Sequence, residues 1–258
     1  MTLFQRDLKE IERKASPILI KEGEYILESW NKIHKLNYKD KRDVSSEIDI
    51  EVEERLRKKL KRLFPQAGFV VEEGKTDKSK EYNWYIDPID GTKYYVNSVP
   101  LFFTQIALVK NGMPIFGQVY NPVSKQLFSA SFGNGAYLNN QKIVTKTREK
   151  ADESIVDVDF GGDDEETPWK LKLISTLIQK FYRIRITGNF LFVYLATGAI
   201  DVSIILHKHV KLVDIMPGII ILKESGLIVD FVDIGNNRKI LVSSNKKNFE
   251  LIKKLLLA

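Results

Sequence analysis

The sequence predicts a layered fold that is α+β in its first half and α/β in its second half. Three observations support this class. Amphipathic helix patterns occupy residues 4–30 and 45–63, short apolar strands separated by turns follow as far as residue 142, and strand and helix patterns alternate from Ser154 onward. Alternation of strands with helices is typical of sheets that are covered by helices and contain parallel pairs.

The first half predicts two helices packed on an antiparallel sheet. Apolar residues recur every three to four positions from Phe4 to Trp30, which predicts one long helix that Pro17 bends. The polar segment HKLNYKDKRD is expected to be an exposed loop, and Ser45 or Ser46 can cap the second helix. Strands are predicted at FVV, YNWYI, LFFTQIALV, PIFGQVY and QLFSASF, with an Asn-Gly pair between the third and fourth that predicts a tight hairpin.

The second half predicts an alternating region. SIVDVDF, RIRI, AIDVSIIL, LIVDFVD and KILVSS are strand patterns, whereas TPWKLKLISTLIQKF, GNFLFVYLATG, DIMPGIIILKESG and NKKNFELIKKLLL are helix patterns. Pro217 is expected in the first turn of its helix. We expect an N-terminal α+β subdomain over residues 1–145 and a C-terminal α/β subdomain over residues 146–258, joined by the charged stretch near Lys142 to Ser154.

The composition excludes several kinds of site. The chain has 258 residues, of which 43% are hydrophobic and 29% are charged, so it can bury a sizeable core. It has no cysteine, which excludes disulfides, zinc–thiolate sites and a cysteine nucleophile. The only histidines are His34, His207 and His209, which argues against a three-histidine metal site. A divalent metal is therefore expected among oxygen ligands.

The net charge of +6 raises the question of a nucleic-acid partner. The densest basic run, RLRKKLKR from Arg55 to Arg62, places leucines at helical spacing, which favours a solvated helix face over a nucleic-acid stripe. The N-terminal segment has no apolar core of a signal peptide, and the uncharged runs are too short to span a membrane. We expect a cytoplasmic protein with neither nucleic acid nor membrane as a partner.

Acidic residues stand where predicted strands or loops meet helices. Hard cations such as Mg²⁺ take oxygen ligands, so these acids are candidate metal ligands. In the segment YIDPIDGT the chain reverses between two aspartates, and Gly91 permits a close backbone approach. Thr92 then begins a helix, where free amide groups favour a phosphate. An Asp-Gly turn and an aspartate helix cap are each common, but together the set favours a metal and phosphate site. The acids are Asp49, Glu72, Asp87, Asp90 and Asp214.

The motifs carry a family resemblance. DPIDGT after a strand resembles the metal-binding signature of the inositol monophosphatase family, whose wider superfamily includes fructose-1,6-bisphosphatases and bisphosphate nucleotidases. VSSEID, VEEG, GNGAYLNNQKI and LVDIMPGIIILKESGLIVD are similar to further family segments in the same order. The resemblance covers nearly the whole chain. It implies a layered α-β-α-β-α sandwich, a Mg²⁺-dependent phosphoric monoester hydrolase and a homodimer.

The resemblance also implies the roles of individual residues. Two Mg²⁺ ions would share Asp87, and a weaker third ion would lie at Glu73. Thr92 with Glu72 would position the attacking water, and Asp49 would orient Thr92. The Gly91 and Thr92 amides would hold the phosphate. The complete implied set of metal ligands is Glu72, Asp87, the Ile89 carbonyl, Asp90, Asp214 and Glu73.

The substrate is expected to be chosen by a basic segment from His207 to Lys211. Inositol-specific relatives often place a glutamate at its start, whereas archaeal relatives with two activities carry arginines there. The basic residues of this segment suit a substrate that carries a second phosphate. The alternative is that the segment is a solvated loop without contact to substrate. Arg185 is explained equally well as a charged surface residue and as a contact to substrate. The candidate substrate contacts, besides the two amides, are His207, Lys211, Arg185, Gly188 and Asn189.

The expected function is hydrolysis of small sugar or polyol phosphates by two-metal activation of water. Inositol-1-phosphate is the preferred substrate, fructose-1,6-bisphosphate is second, alone or as a dual activity, and 3′-phosphoadenosine 5′-phosphate is third. The alternative from another class is a basic binding module that keeps the fold without the activity. Retention of every expected carboxylate argues against that module.

Overall fold

The computed structural model describes residues 3, 5–30, 32, 36–38, 44–79, 81–161, 164–187, 189–206, 210–235 and 238–257. The chain divides into two compact units. The first comprises Met1–Lys142 and Lys211–Ile221, and the second comprises Ile143–Val210 and Leu222–Ala258. The first unit is therefore built from two separate stretches of sequence.

Both predicted N-terminal helices are confirmed. Helix α1 (Gln5–Ser29) continues through Pro17 and buries one apolar stripe, and α2 (Glu47–Leu63) begins after Ser46. Between them, β1 (Leu36–Tyr38) pairs antiparallel with β2 (Val44–Ser46). The expectation of a loop is therefore wrong for residues 36–38, because backbone hydrogen bonds to β2 order a segment whose side chains gave no strand pattern.

The first unit contains a seven-stranded sheet whose strands are neighbours in chain order. Only the first pair of strands is parallel, and every later pair is antiparallel. The predicted hairpin is confirmed, with Asn111 and Gly112 at positive φ of 49° and 82°. The strands are β3 (Gly68–Val71), β4 (Tyr82–Asp90), β5 (Phe103–Lys110), β6 (Met113–Asn121), β7 (Gln126–Ser131), β8 (Gly135–Leu138) and β9 (Gln141–Lys142).

One face of this sheet supplies the core of the first unit. Trp84, Ile86, Ile106 and Phe116 are fully buried and belong to one apolar cluster with the inner faces of α1 and α2. Alternate residues on the same strands point to the opposite face of the sheet. A short helix, α3 (Thr92–Val96), follows β4.

The elements of the second unit are β10 (Ile155–Asp159), α4 (Thr167–Lys180), β11 (Arg183–Ile186), β12 (Val202–Ile205), β13 (Ile228–Asp233), β14 (Lys239–Ser244) and α6 (Lys246–Leu256). The five strands form one sheet in the order β11-β10-β12-β14-β13. Strand β10 is parallel to both of its neighbours, and β14 is antiparallel to both of its own. The segment Asn189–Thr197, predicted as a helix, is a 3₁₀ helix, consistent with its aromatic and β-branched residues, which have low α-helix propensity.

Helix α5 (Leu212–Glu224) begins in the first unit. Its start packs closely on β6, because a Cβ on Gly117 would lie 2.5 Å from the Pro217 carbonyl oxygen. Pro217 is the sixth residue of the helix, so the expectation that it lies in the first turn is wrong; the helix begins two residues before Asp214. Among the described residues, no helix combines the length and apolar character that a membrane span requires.

Candidate metal centre

A β-bulge in β4 brings two acidic side chains to one face of the sheet. Asp87 pairs with Gln105 of β5 and Asp90 pairs with Phe103, so β4 has one residue more than β5 between these pairs. Residues three apart on a regular strand point to opposite faces, and one extra residue reverses that relation. Pro88 lies inside the bulge, where a missing N–H removes no ladder hydrogen bond. The bulge therefore explains how Asp87 and Asp90 both reach Gln105.

Three carboxylates converge beside this bulge. Glu72 follows β3, Asp87 lies in β4 and Asp214 lies in the first turn of α5, and one oxygen of each lies within 4.8 Å of the others. Asp87 is 1% exposed, and its Oδ1 atom has no hydrogen-bond partner. Burial, followed by the charges of Glu72, Asp90 and Asp214, raises the pKa of Asp87 well above its ordinary value. A cluster of like-charged oxygens, with Asp87 buried and unpartnered at one oxygen and Glu72 and Asp214 partly exposed, fits a hard divalent cation.

A glutamine that the sequence analysis did not single out lies among these acids. The Gln105 side-chain amide donates to Asp87 Oδ2 at 3.1 Å, to Asp90 Oδ2 at 3.0 Å and to the Asp214 carbonyl oxygen at 3.2 Å. Gln105 is 2% exposed. A polar residue inside an otherwise apolar strand was the available sequence signal.

The loop that carries Glu72 is held by Glu53 of α2, which the sequence analysis also missed. The Glu53 carboxylate accepts hydrogen bonds from the backbone N–H groups of Glu73 and Gly74, each at 2.7 Å. A Cβ on Gly74 would lie 2.6 Å from Glu53 Oε1, so a larger residue there would have to displace the Glu53 carboxylate. Burial raises the pKa of Glu53, and the two backbone hydrogen bonds oppose that shift. An acid four residues after Asp49 on the same helix face was the signal that could have found it.

Thr92 lies between an acid and a backbone carbonyl. Its Oγ1 atom is 3.1 Å from Asp49 Oδ1 and 2.8 Å from the Ile89 carbonyl oxygen, and its single proton can be donated to only one of them at a time. Asp49 is fully buried and accepts hydrogen bonds from the Ser46 backbone and hydroxyl groups. Burial raises the pKa of Asp49 to about 7. One acceptor on α2 and one on β4 therefore compete for the proton of this hydroxyl.

Gly91 makes the turn from β4 into α3. Its φ is +92°, and a Cβ there would lie 3.0 Å from the Leu101 carbonyl oxygen. Its own carbonyl accepts hydrogen bonds from the backbone N–H groups of Tyr94 and Tyr95. The first N–H groups of a helix have no partner within that helix, so the start of α3 offers donors to an anion.

Lys211 forms an ion pair with one of the three clustered carboxylates. Its Nζ atom is 2.9 Å from Glu72 Oε1, with side-chain exposures of 43% for Lys211 and 13% for Glu72. The sequence predicts that Lys211 contacts substrate, and this role stays a prediction. In this structure the ammonium group of Lys211 pairs with the carboxylate of Glu72, which is one of the predicted metal ligands.

The remaining predicted substrate contacts belong to the second unit or fall outside the described residues. Arg185 is exposed on β11 in the second unit, where its guanidinium donates to the Ile184 carbonyl at 3.3 Å. Asn189 begins the 3₁₀ helix of the same unit. Their substrate roles stay predictions. Gly188 and His207 lie outside the described residues, as do the other two histidines, His34 and His209.

Comparisons with known proteins agree with this architecture. A sequence model of the inositol monophosphatase family matches residues 7–257. The Nus factor SuhB of Xylella fastidiosa is 30% identical over 231 residues, covering 86% of this chain and 83% of that protein. The fructose-1,6-bisphosphatase/inositol-1-monophosphatase of Aquifex aeolicus is 29% identical over 258 residues, covering 95% of each. The crystal structure of the extragenic suppressor protein suhB from Bartonella henselae aligns with a TM-score of 0.88 and 22% identity over 96% of this chain and 98% of that one, which confirms the predicted fold class.

Proposed function

Because the chain belongs to the inositol monophosphatase family and is a phosphoric monoester hydrolase, we propose that it hydrolyses phosphate esters of small sugars or polyols with Mg²⁺. The observation that carries the proposal is the cluster of Glu72, Asp87 and Asp214, whose oxygens lie within 4.8 Å of one another. The unpartnered, buried Oδ1 of Asp87 supports a cation at this position. Inositol-1-phosphate is the proposed first substrate.

The proposed metal ligands are five carboxylate side chains and one backbone carbonyl. Two Mg²⁺ ions would supply an acidified water and positive charge beside the leaving oxygen. Asp87 would be shared between the two sites, and the ion pair of Lys211 with Glu72 Oε1 would compete with a cation for that carboxylate. Glu73 would serve a weaker third site. The proposed ligands are Glu72, Asp87, the Ile89 carbonyl, Asp90, Asp214 and Glu73.

The remaining groups would orient water and phosphate. The Thr92 hydroxyl donates towards Asp49 or the Ile89 carbonyl and keeps lone pairs with which to accept a hydrogen bond from the attacking water. Together with Glu72 it would aim that water at phosphorus. The N–H groups of Gly91 and Thr92, at the start of α3, would hold the phosphate oxygens.

Asp90→Asn tests the proposed function. The substitution removes one negative charge and keeps the shape, so we expect native circular dichroism and a loss of at least two orders of magnitude in Mg²⁺-dependent phosphate release. Asp152→Asn, at an exposed acid in the second unit, is the control and should keep full activity. Wild-type turnover in Asp90→Asn would contradict the proposal.

The choice of substrate depends on the basic segment before α5. The relative from Aquifex aeolicus is named both a fructose-1,6-bisphosphatase and an inositol-1-monophosphatase, which supports fructose-1,6-bisphosphate as the second candidate, alone or as a dual activity. The third candidate is 3′-phosphoadenosine 5′-phosphate. A cation such as Lys211, released from Glu72, suits a second phosphate.

Lys211→Ala distinguishes the first two substrates. We expect a selective rise in KM for fructose-1,6-bisphosphate, with the KM for inositol-1-phosphate nearly unchanged. Both assays need saturating Mg²⁺, because the variant also frees Glu72 for the cation. Equal losses on both substrates would show that Lys211 does not select the bisphosphate.

We also propose that the protein is a homodimer, as the resemblance implies, and that it is cytoplasmic, as the sequence patterns predict. Light scattering on the purified chain tests the dimer, and cell fractionation tests the location. The alternative of a binding module without activity is not supported, because the chain is a phosphoric monoester hydrolase. Phosphate release from the three candidate substrates, with and without Mg²⁺, tests this alternative directly, and release from none of them would favour the binding module.

A further inference from the structure

Gln105 stands directly across from Asp87 in the middle of the seven-stranded sheet. The two residues are partners in the β4–β5 register, so their side chains share one face. On its other side, β5 pairs with β6, where Gln105 is opposite Val119. Gln105 and its neighbour Thr104 interrupt a run of buried apolar residues. A buried amide at this position needs hydrogen-bond acceptors, and the metal centre provides them.

The Gln105 amide joins three places that are separate in the sequence. Its nitrogen lies 3.1 Å from Asp87 Oδ2, 3.0 Å from Asp90 Oδ2 and 3.2 Å from the Asp214 carbonyl oxygen. A primary amide has two protons, so these three acceptors share two donors. One side chain therefore ties both ends of the β-bulge to the first turn of α5.

The chemistry of an amide suits this position better than the alternatives. A lysine would add a positive charge that competes with a cation, and a glutamate would add another negative charge to the cluster. An apolar residue would leave two buried carboxylate oxygens without this donor. A neutral amide orients the carboxylates and leaves their charges in place. It occupies Asp87 Oδ2, while Asp87 Oδ1 has no hydrogen-bond partner.

We propose that Gln105 is a positioning residue of the metal centre. Its amide holds Asp87 and Asp90 in the orientation that a divalent cation needs, and fastens α5 so that Asp214 meets them. This inference rests on the proposed function, because that function supplies the cation. Gln105 itself acts through the aspartates.

Gln105→Met tests the proposal, because methionine keeps an unbranched chain of similar length and removes the donor. We expect Mg²⁺ and Mn²⁺ to bind about 10- to 100-fold more weakly, measured by isothermal titration calorimetry without substrate. At saturating metal we expect kcat to fall while the KM for inositol-1-phosphate changes little. Cation affinity within twofold of wild type would overturn the proposal.

A matched control is available in the same sheet. Gln118 of β6 is fully buried, and its amide donates to Ser16 Oγ at 2.7 Å and to the Glu12 carbonyl at 3.3 Å, on the face covered by α1. Gln118→Met should reduce stability without changing cation affinity. Equal weakening of cation binding by both methionine variants would assign Gln105 a merely structural role.

A shorter amide provides a second variant in case Gln105→Met does not fold. Gln105→Asn keeps a neutral donor but is one methylene shorter, so we expect several-fold weaker cation binding; wild-type affinity would overturn the inference. The cation titration of the wild-type protein distinguishes failure of the proposed function from failure of the role proposed for Gln105. A wild-type protein that binds no divalent cation contradicts the proposed function. A wild type that binds, beside a Gln105→Met variant that binds equally well, contradicts only the role of Gln105.

Discussion

Asp157 is a buried carboxyl group in the second unit, in the middle of β10. It is 1% exposed, and its Oδ1 accepts a hydrogen bond of 2.6 Å from the Thr187 hydroxyl. Burial raises the pKa of Asp157 from 3.8 to about 6, although the Thr187 hydrogen bond opposes the shift. The native state therefore holds the Asp157 proton more tightly than the unfolded chain does. The stability from this proton is fully present below about pH 4 and is lost as the pH rises through about 6.

Asp157→Asn should remove this pH dependence. Asparagine keeps an oxygen that accepts the Thr187 hydrogen bond but carries no charge, so its burial does not depend on pH. We expect the free energy of unfolding of the variant, relative to wild type, to rise by about 2–3 kcal/mol between pH 4 and pH 7. Urea denaturation of both proteins across this range measures the difference. A difference that stays constant with pH would contradict the assignment.

Single residues differ in how far the sequence reveals them. The acids of DPIDGT could be predicted because a dense local motif contains several of them. Gln105 could not, because its role depends on its pairing with Asp87 and on the extra residue in β4. Glu53 depends in the same way on the packing of α2 against a distant loop. The sequence pattern can mark both residues as unusual, but it does not show which separate elements they contact.

At the scale of elements, the contact of α5 with β6 sets the position of Asp214. Gly117 allows this contact, because a Cβ there would meet the Pro217 carbonyl oxygen at 2.5 Å and Ile220 Cγ2 at 2.6 Å. A backbone atom cannot move aside as the end of a flexible side chain can. Any larger residue at Gly117 must therefore displace the first turns of α5.

Gly117→Ala should separate α5 from the sheet and weaken the metal centre. We expect a loss of about 1–3 kcal/mol in the free energy of unfolding, together with weaker cation binding and lower turnover. Gly112→Asn is the control, because Gly112 has open space and asparagine tolerates its positive φ. Calorimetric titration and urea denaturation measure both effects. Unchanged cation affinity in Gly117→Ala would show that α5 does not need this close packing.

The elements themselves were largely predictable from periodicity. Helices α1 and α2 and the antiparallel strands of the first sheet follow from clear apolar patterns. The parallel pairing of β3 with β4 was not predicted, because strand direction depends on the connection between them. Strand β1 was missed because main-chain pairing, rather than side-chain pattern, forms it.

At the scale of the whole molecule, the acidic cluster links cation binding to stability. Glu72, Asp87 and Asp214 repel one another in the folded protein, and a cation that binds only the folded state offsets that repulsion. We expect Mg²⁺ at about 100 times its Kd to raise the free energy of unfolding by about 2.7 kcal/mol over the value in EDTA. Denaturation at matched ionic strength measures this gain. An equal gain in Asp90→Asn would show that Mg²⁺ acts elsewhere.

The discontinuity of the first unit has a consequence for biosynthesis. When a ribosome has made residues 1–142, every strand of the seven-stranded sheet exists, but the segment Lys211–Ile221 does not. During translation of residues 143–210, the nascent sheet carries Glu72 and Asp87 without Asp214, and Gln105 lacks one of its three acceptors. The proposed metal centre is completed only when α5 emerges. A chain arrested before that point therefore lacks one of the three carboxylates proposed to hold the cation, whatever the magnesium concentration around it.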